Sequence, residues 1–479
     1  MAAMNHSDYL ALDATGLAAA VRNGDATAEE VLEAAIQEAE NNKALNAIVI
    51  EMYDEARKTA RRNLTQGPFC GVPFLLKDLG AYYEGAITTG GCRYFADSVA
   101  DHDSEIVRRY KKAGVVVFGK SGSPEFGLTT TTESLLFGKT RNPWNLEYVA
   151  GGSSGGAAAA VAAGILPMAH ASDGGGSIRI PASCCGLFGL KPTRARTPMG
   201  PDAGEGWSGL STVHAVSRTV RDSAALLDAS SGPASGDPYW APPPARPFLD
   251  EVGAPPGRLR IAFTSRTFNG SQTDPECRKA VEDAAALCVE LGHEVSPAEL
   301  EIDSDPLGRA TRTIVAANIL ANLIERQRIV GRDFGPDDVE PMTLSMAENA
   351  REQDSSDYAL AVRTVHRVGR QVAGFFEDWD VLLTPTMATP PKKLGVLALD
   401  ATDNEAYLEN LLETIGFTQL MNVAGNPAVS IPLAESSAGL PIGLQFAAPF
   451  GDEATLLRLG AQLEEARPWA DRRPPTAEQ

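Results

Sequence analysis

Gly151-Gly-Ser-Ser-Gly-Gly156 and Ser172-Asp-Gly-Gly-Gly-Ser-Ile-Arg-Ile-Pro181 are the stretches that decide the fold of this chain, and both hold serines in glycine-rich backbone. The residues after the second stretch return at once to apolar character, which indicates an ordered turn rather than a flexible linker. Upstream, the apolar run Gly71-Val-Pro-Phe-Leu-Leu-Lys77 ends in a lysine. Two serines and a desolvated lysine are enough to build a hydrolase that uses neither histidine nor metal.

Ser177 is the candidate nucleophile, because three residues without a Cβ precede it. Such backbone can turn successive N–H groups toward one point and bind an anion. If Ser177 attacks a carbonyl carbon, the amides of Gly174, Gly175, Gly176 and Ser177 would lie around the developing oxyanion. One such donor contributes about 3–4 kcal/mol to the rate. We therefore predict an oxyanion hole at these four residues.

Lys77 is the candidate base, because burial disfavours the charged form of a lysine and lowers its pKa. Ser153 can link the two groups, since a hydroxyl both donates and accepts a hydrogen bond. It would pass a proton from Ser177 to Lys77 and later return it to the departing amine. Of the six histidines, His170 lies nearest to Ser177 in sequence. A histidine-based triad therefore stays open as an alternative, beside a purely structural role for His170.

Gly114-Val-Val-Val-Phe-Gly119-Lys120-Ser121 fits the phosphate-loop pattern letter for letter. Its four central residues are β-branched or aromatic, however, and prefer an extended strand to a loop that curls around an anion. We predict a strand here and no nucleotide site. The alternative outside hydrolase chemistry is a nucleotide-binding module built on this segment. In that case, ATP would raise the melting temperature of the protein.

Composition limits the classes of partner. The chain has 479 residues, 43% of them hydrophobic, and a formal net charge of −20. Such an acidic surface disfavours contact with nucleic-acid phosphates. The N-terminus lacks a signal-peptide pattern, and the most apolar stretch, 157–169, is too short for a bilayer. The six cysteines form no Cys-x-x-Cys pair, and a chain of this length does not need disulfides for stability. We therefore predict reduced thiols and a cytoplasmic location. No sequence feature decides the oligomeric state, and a homodimer is compatible with the chain.

Helical patterns alternate with short apolar runs, which predicts an α/β fold with a largely parallel sheet. Length alone would permit two or three domains. The segment 232–256 is rich in Pro, Gly and Ala and is predicted to be a loop or a bridge. The polar tail 471–479 is predicted to be frayed.

The chain resembles the amidase signature family, whose Gly/Ser-rich stretch and Gly-Gly-Ser-Ile-Arg-Ile-Pro segment stand nearly unbroken across 151–182. The similarity extends through 137–144 and 426–445. Segment 180–194 and the ending Pro468-Trp469 look most like the bacterial branch of 6-aminohexanoate cyclic dimer hydrolases. The resemblance implies a single α/β/α domain over residues 1–479, with a large central mixed β-sheet covered by helices and a catalytic core at about 70–200.

The resemblance also implies a Ser–cis-Ser–Lys triad of Ser177, Ser153 and Lys77, a cis peptide at Gly152–Ser153, and no cofactor or metal. Other family positions are loop braces at Asp173 and Arg179, a backbone position facing the substrate at Gly127, and pocket positions around 129–132, 311–346 and 422–425. One departure is Gly174, where many relatives carry a larger residue.

The implied activity is hydrolysis of small-molecule carboxylic amides (aryl, small linear or cyclic), with esters as side substrates. A glutaminase subunit of a tRNA-dependent amidotransferase uses the same triad and is the alternative.

Overall fold

The computed structural model describes residues 6–62, 64–401 and 403–475, and at residue 404 it describes the backbone only. The helices of these residues are α1 (His6–Ala11), α2 (Ala14–Asn23), α3 (Ala28–Asn41), α4 (Tyr53–Ala60), α5 (Glu105–Ala113), α6 (Gly155–Ala162), α7 (Arg179–Cys185), α8 (Val220–Ser230), α9 (Pro275–Glu290), α10 (Ser304–Val330), α11 (Pro341–Arg351), α12 (Ser355–Asp378), α13 (Asn404–Ile415), α14 (Gln419–Ala424) and α15 (Glu453–Ala466).

The strands are β1 (Ile48–Glu51), β2 (Pro73–Lys77), β3 (Val116–Ser121), β4 (Glu133–Ser134), β5 (Gly138–Lys139), β6 (Arg141–Asn142), β7 (Asn145–Val149), β8 (Met168–Asp173), β9 (Phe188–Lys191), β10 (Thr212–Ser217), β11 (Arg260–Phe263), β12 (Glu294–Pro297), β13 (Val381–Pro385), β14 (Ala428–Glu435) and β15 (Pro441–Ala447). None of the helices in the described part of the chain combines the length and the apolar character that a bilayer crossing requires.

Eight strands form the central sheet, in the order β12-β11-β13-β15-β14-β9-β10-β8. Only the pairs β11–β12 and β11–β13 are parallel, and the other five are antiparallel. A second sheet has the order β1-β3-β2, with β2 and β3 parallel. The expected mixed α/β sheet is therefore confirmed, but the largely parallel sheet predicted from helix–strand alternation is wrong. Antiparallel neighbours such as β14 and β15 need only a short turn between them.

Side chains of the central sheet alternate between two apolar layers, as the period of two along a strand requires. Val381 and Leu383 pack with α8, α9 and α15, whereas Leu382 between them packs with α10, α12 and α14. Helix α6 is buried at all eight residues and packs beside β8. Helices thus cover both faces of the sheet. The glycine-rich turn directly follows the C-terminal end of strand β8.

The structure describes two segments for which the sequence makes a local prediction. Gly114 caps α5 and residues 116–121 form β3, so the predicted strand is confirmed in place of a phosphate loop. Lys120 is fully buried there, and its Nζ donates to the carbonyl of Ala81 at 3.3 Å. In the tail predicted to be frayed, Arg472 and Arg473 donate to the carbonyls of Pro432 and Leu10. Residues 476–479 of that tail lie outside the described residues.

The segment between α8 and α9 is irregular over most of its length. Apart from a short 3₁₀ turn at Phe248–Glu251 and strand β11, it forms no regular element within the described residues. That the whole chain folds as a single domain stays a prediction.

Candidate active site

Lys77 lies at the end of β2, a strand whose five residues are all buried. Its backbone N–H donates to Nδ1 of His170 on the neighbouring strand β8 at 3.1 Å, which ties the two strands together at this point. The side-chain Nζ donates to Oγ of Ser153 at 2.7 Å and to Oγ of Ser172 at 3.0 Å. The amine therefore has two hydroxyl partners inside the protein.

The environment of Lys77 favours its neutral form. Burial lowers its pKa from the ordinary 10.5 to about 7, although the carboxylate of Asp173 opposes the shift. A substantial share of the amines is therefore unprotonated near pH 7 and holds a lone pair that can accept a proton.

Ser153 follows a cis peptide bond between Gly152 and Ser153, as the resemblance implies. Its side chain is buried, just before α6 begins at Gly155. Gly127 lies against it: a Cβ on Gly127 would be 3.0 Å from Oγ of Ser153. Gly127 has a φ of 72°, in the left-handed region that favours glycine. The structure thus places this predicted substrate-facing residue beside Ser153.

The turn after β8 is built around the fully buried carboxylate of Asp173. It accepts hydrogen bonds from the amides of Gly176 at 2.7 Å and Ile178 at 3.1 Å. Arg179, also fully buried, donates to both carboxylate oxygens at 2.9 Å. Burial alone would raise the pKa of Asp173, but the charge and hydrogen bonds of Arg179 lower it well below its ordinary value. The expected bracing roles of Asp173 and Arg179 match this geometry.

The amide of Gly176 points toward Asp173, so one of the four predicted oxyanion donors is engaged elsewhere. The carboxylate accepts the N–H of Gly176, whereas the prediction placed that amide near the oxyanion with the other three. The amides of Gly174, Gly175 and Ser177 have no acceptor among the described residues. Gly174, Gly175 and Ser177 are also partly exposed, so a ligand can reach their amides.

The hydroxyl of Ser177 has no hydrogen-bond partner in the described part of the chain. The structure therefore brings Lys77 and Ser153 together and leaves Ser177 on the same turn as the free amides, partly exposed and not bonded to Ser153. Catalytic hydrogen bonds are commonly long without substrate and shorten in the Michaelis complex.

His170 occupies a structural position. It is fully buried, its Nδ1 accepts from the backbone of Lys77, and its ring stacks edge-on with Tyr110. Burial, reinforced by the charge of Lys77, lowers its pKa to about 3, so the ring is neutral at pH 7. No described residue bonds to its Nε2. The arrangement offers no hydrogen bond between His170 and Ser177, which argues against the histidine-based triad.

Several of the expected pocket positions form hydrogen bonds within the protein. The hydroxyls of residues 129–132 all bond to other protein groups. Asn422 is buried, and its side chain donates to the carbonyl and the carboxylate of Asp173 and accepts from Arg179. Asn422 therefore braces the turn after β8, residues 174–178, which is the nucleophile turn predicted from the sequence.

Sequence reasoning missed Ser172, the second hydroxyl on Lys77. Ser172 stands beside the glycine-rich stretch in the sequence, but it is the penultimate residue of β8. Side chains alternate along a strand, so Ser172 and His170 share one face and both meet Lys77. Recognising β8 as a strand would have identified it.

Relatives of this chain among known proteins include amidases and amide hydrolases. The family model described as Amidase matches residues 30–457. The 6-aminohexanoate-cyclic-dimer hydrolase of Paenarthrobacter ureafaciens is 40% identical over 475 residues, 96% of each chain. A solved structure of 6-aminohexanoate cyclic dimer hydrolase has a TM-score of 0.92 and 39% identity, covering 98% of this chain and 99% of that one. A bacterial aryl acylamidase of the amidase signature family has a TM-score of 0.87 and 28% identity, covering 96% and 97%. This chain belongs to the amidase family and is an enzyme that hydrolyses carboxylic amide bonds.

Proposed function

We propose that Ser177 is the nucleophile of this amidase, activated through Ser153 by a neutral Lys77. The carrying observation is the 2.7 Å contact from Nζ of Lys77 to Oγ of Ser153 in a fully buried site. The hydroxyl of Ser177 turns toward Ser153 when substrate binds. Its proton then moves to Oγ of Ser153, whose own proton moves to Nζ of Lys77.

The oxygen of Ser177 bonds to the carbonyl carbon, and the carbonyl oxygen takes the negative charge among the free amides of Gly174, Gly175 and Ser177. When the C–N bond breaks, Ser153 protonates the departing amine and takes a proton back from Nζ of Lys77, while the oxygen of Ser177 stays bonded to the acyl group. Water then attacks the acyl-enzyme, with Lys77 again accepting a proton, and releases the carboxylic acid. Esters follow the same course with an alcohol as the leaving group.

The proposed substrates are small aryl, linear or cyclic amides. The names of the two relatives support this range, since one is a cyclic dimer hydrolase and the other an aryl acylamidase. The alternative, a glutaminase subunit of an amidotransferase, is not favoured by these comparisons. A homodimer and a cytoplasmic location stay predictions. The six cysteines, all free and buried, are compatible with the predicted location.

Purified protein assayed alone on a panel of anilides, linear amides, cyclic amides and nitrophenyl esters tests the proposal. We expect turnover of at least one amide class without any partner. The Ser177→Ala variant should lose about 10⁴- to 10⁶-fold in kcat while melting like the wild type. Glutamine hydrolysis that requires added subunits and tRNA, or full activity in Ser177→Ala, would contradict the proposal.

A further inference from the structure

Trp207 packs directly on the backbone of the nucleophile turn. A Cβ on Gly174 would lie 2.6 Å from Cζ3 and 2.8 Å from Cε3 of its indole, distances that real Cβ atoms do not show. The indole therefore fills the space of the side chain that Gly174 lacks. Trp207 and Gly174 are both partly exposed, so a ligand can reach this contact from solvent.

The turn that carries Trp207 is held in an unusual backbone conformation. Trp207 and Ser208 have φ values of 50° and 52°, and Gly209 follows with 80°. Bulky residues avoid this left-handed region unless the surroundings enforce it, and such residues concentrate at functional sites. The hydroxyl of Ser208 contacts the hydroxyl of Tyr358 on α12, which holds the far side of the turn.

The same brace holds this turn and the nucleophile turn together. The side-chain amide of Asn422 donates to the carbonyl of Asp173 at 2.9 Å and to the carbonyl of Leu210 at 3.0 Å. Arg194 donates to the carbonyl of Gly209 and, at 3.0 Å, to the carbonyl of Asn422. The position of Trp207 relative to Gly174 is therefore fixed from both sides.

We propose that Trp207 is a positioning and specificity-determining residue: its indole holds the Gly174 amide in the oxyanion hole and forms the wall against which the apolar acyl group of the substrate packs. The inference rests on the proposed function, in which Gly174 is an oxyanion donor for Ser177. The two positions depend on each other: residue 174 must be small because the large side chain of residue 207 fills the adjacent space. The flat indole face suits a methylene chain or an aryl ring, which share the required apolar surface.

A double-mutant cycle tests the pairing. Gly174→Ala alone must displace the indole, and we expect kcat/KM to fall at least 10-fold. In a Trp207→Ala background the same change should cost less than 3-fold, because the space is then free. Gly175→Ala is the matched control, since its Cβ would meet no atom within 4 Å, and its effect should be independent of residue 207. Equal effects of Gly174→Ala in both backgrounds would overturn the pairing.

Acyl-chain selectivity separates a substrate wall from a merely structural residue. With nitrophenyl acetate, hexanoate and octanoate, Trp207→Ala should lower the octanoate-to-acetate ratio of kcat/KM at least 10-fold, because the longer chain loses the indole surface on which it packs. Trp207→Phe should restore most of the wild-type ratio. The ratio of kcat/KM for a nitrophenyl ester to kcat/KM for a nitroanilide of the same acid should be the same in the wild type and in Trp207→Ala. A uniform loss on every substrate, or a change in the leaving-group ratio instead, would overturn the assignment.

Labelling with a fluorophosphonate, followed by peptide mass spectrometry, distinguishes the two levels of failure. If the wild type carries no adduct on Ser177, the proposed function itself fails. If Ser177 is labelled in the wild type and the cycle is additive, only the role of Trp207 fails. Should Trp207→Ala melt early, Trp207→Phe and the single variant Gly174→Ala still provide the comparison.

Discussion

The pH dependence of acylation should follow the ionisation of Lys77. Its pKa of about 7 leaves about half of the amines neutral at pH 7, about 99% at pH 9 and about 1% at pH 5. At the ordinary pKa of 10.5, only about 0.03% would be neutral at pH 7, so burial supplies roughly 10³-fold more base. Since the base must be unprotonated, activity is lost as the pH falls through the pKa of Lys77.

We therefore expect kcat/KM for a nitroanilide to rise about 100-fold from pH 5 to pH 9, with unit slope below pH 7 and a plateau above it. The ratio kcat/KM reports the free enzyme and the first irreversible step, so slow product release does not mask the ionisation. Neither Asp173 nor His170 interferes, because the pKa values of both lie far below this range.

Lys191 provides a matched control. It is also fully buried, burial lowers its pKa to about 7, and its Nζ donates to the carbonyl of Pro192 at 2.8 Å. The inflection should persist in Lys191→Met and disappear, with at least a 10³-fold loss of rate, in Lys77→Met. A flat wild-type profile, or an inflection that vanishes only with Lys191, would refute a lysine base at residue 77.

Three further substitutions test the surrounding machinery. Ser153→Ala should lower kcat about 10²- to 10⁴-fold with little change in KM, because the proton path is cut, and an unchanged kcat in steady-state assays would exclude the relay. Asp173→Ala leaves the buried Arg179 unpaired and should cost about 3–5 kcal/mol in urea unfolding; a loss below 1 kcal/mol would contradict the brace. Gly127→Ala should lower kcat, because the new Cβ would press against Oγ of Ser153. Gly85→Ala is the control: Gly85 has a φ of 82° and open space around it, so its substitution should affect stability alone. Equal kcat values in both variants would show that the contact with Ser153 does not affect catalysis.

The segments that carry the proposed triad could be singled out because each is a short, local pattern. Three glycines before Ser177, the paired serines at 153–154 and the apolar run ending in Lys77 carry their chemistry in adjacent residues. The low pKa of Lys77 also follows from its apolar neighbours, since desolvation is its largest cause. These features need no knowledge of distant contacts.

Contacts between residues that are far apart in the sequence could not be predicted from local patterns. Asn422 reaches Asp173 across 249 positions, and the indole of Trp207 reaches Gly174 from another loop. The direction of the Gly176 amide depends on where the Asp173 carboxylate lies, which residue types alone do not fix. Strand direction failed for a similar reason: alternation of helices and strands favours parallel pairing, but β14 and β15 pair as a hairpin.

The most direct measurement of the central claim is the rate of fluorophosphonate labelling at Ser177 as a function of pH, read by peptide mass spectrometry. In the wild type, we expect a single adduct on Ser177 whose rate of formation rises through an apparent pKa near 7. In Lys77→Met the adduct should form at least 10³-fold more slowly and without that inflection. Labelling at another residue, or a rate on Ser177 that is the same with and without Lys77, would contradict the account.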